Sequence, residues 1–294
     1  MNFYLNFFEN VYNKIEKKLH GKKADRYSSM FFLMSFGLAL GIIQLNNMGL
    51  LPHKLAKMVP LNHFSAIDLV LSLILLKEFM DMIFALSDSV SRAQRKQLEV
   101  VSLILLRSSF KTLPGFNEID TMDLAAATEQ VLPLFTYGFS AFIIFLIVLM
   151  YYRLQNIPML SEDKEMNSFV AAKKLVALML LLNFIIIGVF DVIHFFIYWE
   201  YSASFDTFFK VFLFADIIIV LISLGYGQLY VTVFRNTGFA LVTVLILVSL
   251  AAPQFFQELI SILAAAFAYA LAYAYNRYCI LCTIEPSKDY PATR

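Results

Sequence analysis

The chain has little charge and almost no cysteine. Only 15% of its 294 residues are Asp, Glu, Lys or Arg, where a soluble domain carries about a quarter. The two cysteines, Cys279 and Cys282, exclude a disulfide scaffold. Their single C-x-x-C has no second pair to complete the four ligands of a structural zinc site. It also lacks the βαβ setting of a redox motif, so the two read as incidental thiols. The net charge is +1, and no basic stretch is large enough to track a phosphate backbone, which argues against a nucleic-acid partner. Motifs of soluble catalysis are also missing from the sequence: His-Glu-x-x-His, Gly-x-Ser-x-Gly and a phosphate-binding Gly loop.

What the chain has instead is apolar bulk. Hydrophobic residues make up 60%, with 30 Phe and 15 Tyr, and the mean hydropathy is +0.71. Disorder and a water-soluble α/β enzyme are both ruled out. The expected fold is all-α, a polytopic transmembrane helix bundle whose first partner is the lipid bilayer.

Seven apolar runs read as spans: 28–51, 63–86, 131–152, 173–198, 208–231, 239–252 and 255–275. The last two are separated at Pro253, because one helix across both would far exceed a ~30 Å hydrocarbon core. Segment 97–114 is short and carries Glu99 and Arg107. The positive-inside rule decides its reading. If it crosses, 17 basic residues fall on the side of the termini and four, Lys54, Lys57, Lys111 and Lys210, on the other. If it does not, the bias nearly vanishes. The expectation is therefore about eight spans (seven if 97–114 does not cross) with both termini cytosolic, in a cell membrane of the bacterial inner-membrane kind.

Around this bundle the sequence divides into 1–27, 28–278 and a short cytosolic tail, 279–294. In 1–27, Phe3, Tyr4, Phe7, Phe8, Val11, Tyr12, Ile15 and Leu19 recur at helical spacing opposite lysines. That pattern suits a helix lying in the headgroup layer or one packed on the protein's own cytosolic face. Small residues recur at Gly37 and Gly41, and at Ala264, Ala268 and Ala272, where helices can approach closely. Tight packing within one protomer is the expected use. A homo-oligomer or another protein partner stays open.

Charged groups inside a bilayer are costly, so each one retained there is a functional candidate. Asp68, Asp191, His194, Asp216 and Glu258 fall at one depth near the outer ends of their spans. Asn183, Asp191, His194 and Tyr198 share a sector of about 80° on one helix, and Asp216, Ser223, Tyr226 and Tyr230 do so on the next. These stripes predict an acidic, outward-facing pocket able to bind a cation or relay protons. A second group, Lys77, Glu78, Asp81 and Glu99, lies deeper, with Lys77 and Asp81 at ion-pair spacing. It reads either as a packing lock or as an inner stage of an ion route.

Ser223-Leu-Gly-Tyr-Gly227 resembles the Thr-Val-Gly-Tyr-Gly filter of potassium channels. It lacks the Thr-Val and a preceding pore helix, and fits a helix C-terminus better. The first functional reading is a small transporter or channel for a cation or protons. The alternatives are a non-catalytic membrane subunit, whose buried charges organise packing, and an intramembrane metal-dependent hydrolase using Asp191, His194 and Asp216. Beyond a bound cation the residues point to no cofactor.

Overall fold

The computed structural model describes residues 12–18, 21–56, 59–88, 90–113, 124–154, 166–198, 205–224 and 230–284. Among them the regular elements are helices: α1 Lys22–Asn47, α2 His53–Ala56, α3 Phe64–Asp88, α4 Val90–Lys111, α5 Leu124–Leu154, α6 Met166–Tyr198, α7 Phe205–Leu224, α8 Tyr230–Ala251 and α9 Gln254–Ile284. Residues 12–18 form a further helical stretch. Five helices are long and apolar enough to cross a membrane by length and composition, namely α1, α5, α6, α8 and α9. Their outward faces carry Phe31, Leu38, Phe139, Phe142, Ile186, Phe190, Leu241 and Phe255, all exposed. An apolar surface this continuous is one that lipid, not water, can cover.

Side-chain contacts set the helix directions. Asp68 meets Arg107 and Glu78 meets Lys96, so α3 and α4 are antiparallel. Ser109 meets the Leu134 carbonyl and Ser91 meets Tyr151, so α4 and α5 are antiparallel too. The same reasoning pairs α1 with α3 through Asp25–Lys77 and Gln44–His63. It pairs α8 with α9 through Arg235–Tyr275 and Gly238–Leu271. By contrast α5 and α9 run parallel, with Thr136 at Glu258 and the Leu154 carbonyl at Asn276.

The surprise is the middle of the bundle. The least apolar long helix, α4, packs against α3, α5, α8 and α9, and Leu98, Val100, Val101 and Leu105 are wholly buried. At 22 residues it spans about 33 Å, longer than the segment 97–114 suggests, because it starts at Val90 and takes Arg92, Arg95 and Lys96 into the helix. Sequence hydropathy underrates such a helix, since it averages over faces that the neighbours bury.

Other boundaries also move. The expected run 208–231 stops at Leu224, and a new helix starts at Tyr230. Of the expected stripe with Asp216, Tyr226 lies outside the described residues and Tyr230 opens α8. The break at Pro253 is where expected, between α8 and α9.

Tyr12 is buried, with its hydroxyl donating to the Phe84 carbonyl at 3.1 Å and sharing a hydrogen bond with Ser87. This part of the N-terminal segment therefore packs on the protein itself. Phe3, Tyr4, Phe7, Phe8, Val11 and Leu19 lie outside the described residues.

The small residues divide. Ala264, Ala268 and Ala272 are buried, letting α9 lie close to its neighbours. At Gly37 and Gly41 a Cβ would meet nothing within 4 Å among the described residues. The tight contact is instead at Gly238, where a Cβ would sit 2.6 Å from Leu271 Cδ1. Gly238→Val should therefore destabilise the protein by about 1–3 kcal/mol through overpacking. Thermal unfolding in detergent should show that Leu271→Ala offsets part of the loss, a non-additive pair. Strict additivity would mean that the two helices do not meet there.

Candidate functional site

Three polar assemblies run along the bundle. The first surrounds Glu78 and Glu99. Lys96 Nζ donates to Glu78 Oε2 at 2.6 Å and to Glu99 Oε2 at 2.9 Å. Arg95 pairs with Glu99 at 3.3 Å and lies over the Tyr152 ring at 4.0 Å. Lys77 donates to Asp25 Oδ1 of α1 at 2.8 Å, with Asp81 and Glu78 near enough to act on its charge. Lys96 was invisible as a partner because α4 looked shorter than it is. Cations and carboxylates of α3 and α4 thus alternate in this assembly.

The second assembly is buried at the centre. Gln94 Nε2 donates to Gln97 Oε1 at 3.0 Å. Thr243 Oγ1 lies 3.1 Å from Gln97 Oε1 and 2.7 Å from Asp216 Oδ2. Asp216 is only 3% exposed, and among the described residues no cation pairs with it. Thr243 has one hydroxyl proton, so it can donate to only one of its two neighbours. Donation to Asp216, over the shorter contact, leaves Gln97 Oε1 with the N–H of Gln94.

The third assembly is nearer the opposite end. Arg107 Nε donates to Asp68 Oδ1 at 3.0 Å and Nη2 approaches Oδ2 at 3.5 Å, a fork that neutralises Asp68. Glu258 accepts from Thr136 Oγ1 at 2.9 Å. Asp191 and His194 are half-buried on α6, while Asn183 is exposed beside them. The expected acidic pocket is thus divided: Asp68 is tied to α4, Asp216 to α8 and Glu258 to α5. Among the described residues no three His, Cys, Asp or Glu side chains gather closely enough to hold a metal ion.

The cavity at this end has the other sign. About 330 Å³ is enclosed where α3, α4, α7, α8 and α9 converge, within the usual range of ligand sites. Its polar rim is Arg107, Ser108, Lys111, Lys210 and Gln257, and its floor is Leu75, Phe79, Ile104, Leu247 and Leu250. Among the described residues Lys111 and Lys210 have no ion-pair partner, and both are exposed. Sequence reasoning had these lysines only as the basic minority on the outer side. That minority status was the available signal, because a cation retained against the positive-inside bias needs a reason. No family model matches the chain, and neither a curated protein nor a solved structure matches it.

The central assembly makes a sharp distinction. Asp216→Asn keeps a hydrogen-bonding group beside Thr243 and strands no cation, so thermal stability should hold or rise. Thr243→Val should leave the buried Asp216 carboxyl short of a hydrogen bond, costing about 1–3 kcal/mol. A large loss with Asn would reveal a cation that depends on the carboxylate.

Proposed function

We propose that the protein is an eight-pass cell-membrane protein with cytosolic termini, and that it works as a small transporter with its substrate site in the cavity under Lys111 and Lys210. Support for eight passes comes from the alternating helix directions and from the basic bias of the inner side. On this reading the cavity opens outward, and its substrate is an anion in place of the cation that the acidic residues suggest. The observation that carries it is the sign of the site. Three of the outer carboxyls, Asp68, Asp216 and Glu258, are engaged by Arg107, Thr243 and Thr136, whereas two cavity lysines lack ion-pair partners among the described residues. A basic, partly desolvated recess concentrates anions. The ion lock around Lys96 favours a second reading, a non-catalytic membrane subunit whose charges only organise packing.

Topology is tested with reporters. One fused after Arg294 should be active in the cytosol, and one within 115–128 should read as exterior; cytosolic labelling of 115–128 would remove the third crossing. Function is tested by flux of labelled inorganic phosphate and labelled fatty-acid anions into proteoliposomes. Protein-dependent flux that falls at least tenfold in the Lys111→Gln, Lys210→Gln double variant is expected, from the loss of two charge-assisted interactions. Absence of flux with either class of anion, from folded protein, would favour the subunit.

A further inference from the structure

We infer that the cavity binds an amphiphilic anion, a negatively charged headgroup carrying one hydrocarbon chain. The inference rests on the anion reading above and adds the tail. Its reason is the division of the cavity wall. The positive groups sit at the ends of their helices: Lys111 is the last residue of α4 and Lys210 lies in the second turn of α7. The opposite wall is apolar and reaches inward to Leu75 and Phe79 near the middle of α3, both buried within the protein. A small hydrated anion would meet the two lysines yet leave the half-buried Ile104, Leu247 and Leu250 of that floor facing water at a hydrophobic cost. A neutral hydrocarbon would fill the floor and leave the cations unanswered. A molecule with both parts satisfies both walls, the phosphate or carboxylate accepting charge-assisted hydrogen bonds from Lys111 and Lys210 and the chain lying along Leu247, Leu75 and Phe79. The lysines are flexible point charges, so the charge of the headgroup counts for more than its shape. Phosphate and carboxylate amphiphiles are one class for this site.

Equilibrium binding of radiolabelled dodecyl phosphate to the purified full chain in neutral maltoside micelles tests this. Unlabelled dodecyl phosphate and laurate should displace the label, while dodecanol and inorganic phosphate should not. The Lys111→Gln, Lys210→Gln double variant should weaken binding at least tenfold. Leu247→Trp, which fills the floor, should weaken it comparably with the rim intact. Size-exclusion profiles matching the unaltered protein show that the variants fold, and the two act at opposite walls, so one reports if the other does not fold. Equal displacement by dodecanol would overturn the role of the headgroup. Saturable, lysine-dependent binding of labelled inorganic phosphate that Leu247→Trp leaves unchanged would overturn the tail while sparing the anion reading. No lysine-dependent binding of any of these probes would overturn both.

Discussion

The structure depends on burying the polar face of α4. A helix carrying Gln94, Gln97, Ser91 and Ser109 can occupy the middle of an apolar bundle only if its neighbours answer those groups. Two neighbours, α5 and α8, do so at defined heights. Tyr151 meets Ser91, Thr243 meets Gln97 and the Leu134 carbonyl takes Ser109. Apolar contact alone would let these helices slide or rotate, since hydrocarbon is as content against lipid as against Leu. The polar contacts remove that freedom and fix register, a use of buried polarity that goes with specificity more than with energy.

Charge is arranged around this column in a graded way. At the Lys96 end, cations and carboxylates alternate and answer one another across α3 and α4. In the middle stands Asp216, buried with a hydroxyl as its neighbour. Toward the cavity, Arg107 takes up Asp68, and among the described residues Lys111 and Lys210 have no ion-pair partner. The lining of the recess carries these three cations and no carboxylate.

Close packing completes the frame where polarity is absent. The buried alanines of α9, and Gly238 of α8, whose missing side chain makes room for Leu271, let the two helices lie close. The outward faces of α1, α5 and α6 are left to lipid. Among the described residues α1 meets the bundle through the Gln44–His63 contact and the Lys77–Asp25 pair, with Ile43 buried on the same helix.

By itself the sequence determined the all-helical character, the apolar runs and the break at Pro253, because these follow from composition, length and the missing proline N–H. It also marked the residues whose burial would be expensive. It could not place α4 at the centre, since its polar face looks unsuited to a membrane until partners from three other helices are known. Nor could it pair Glu78 with Lys96 or Asp68 with Arg107, because the charge that answers a carboxylate sits on another helix at a height set by packing. Common depth made Asp68, Asp216 and Glu258 look like one acidic site; rotation about the helix axes decided which neighbour each one meets. Which side chains line the cavity, Arg107, Lys111 and Lys210 among them, likewise belongs to the tertiary structure, because they sit on helices that only packing brings together.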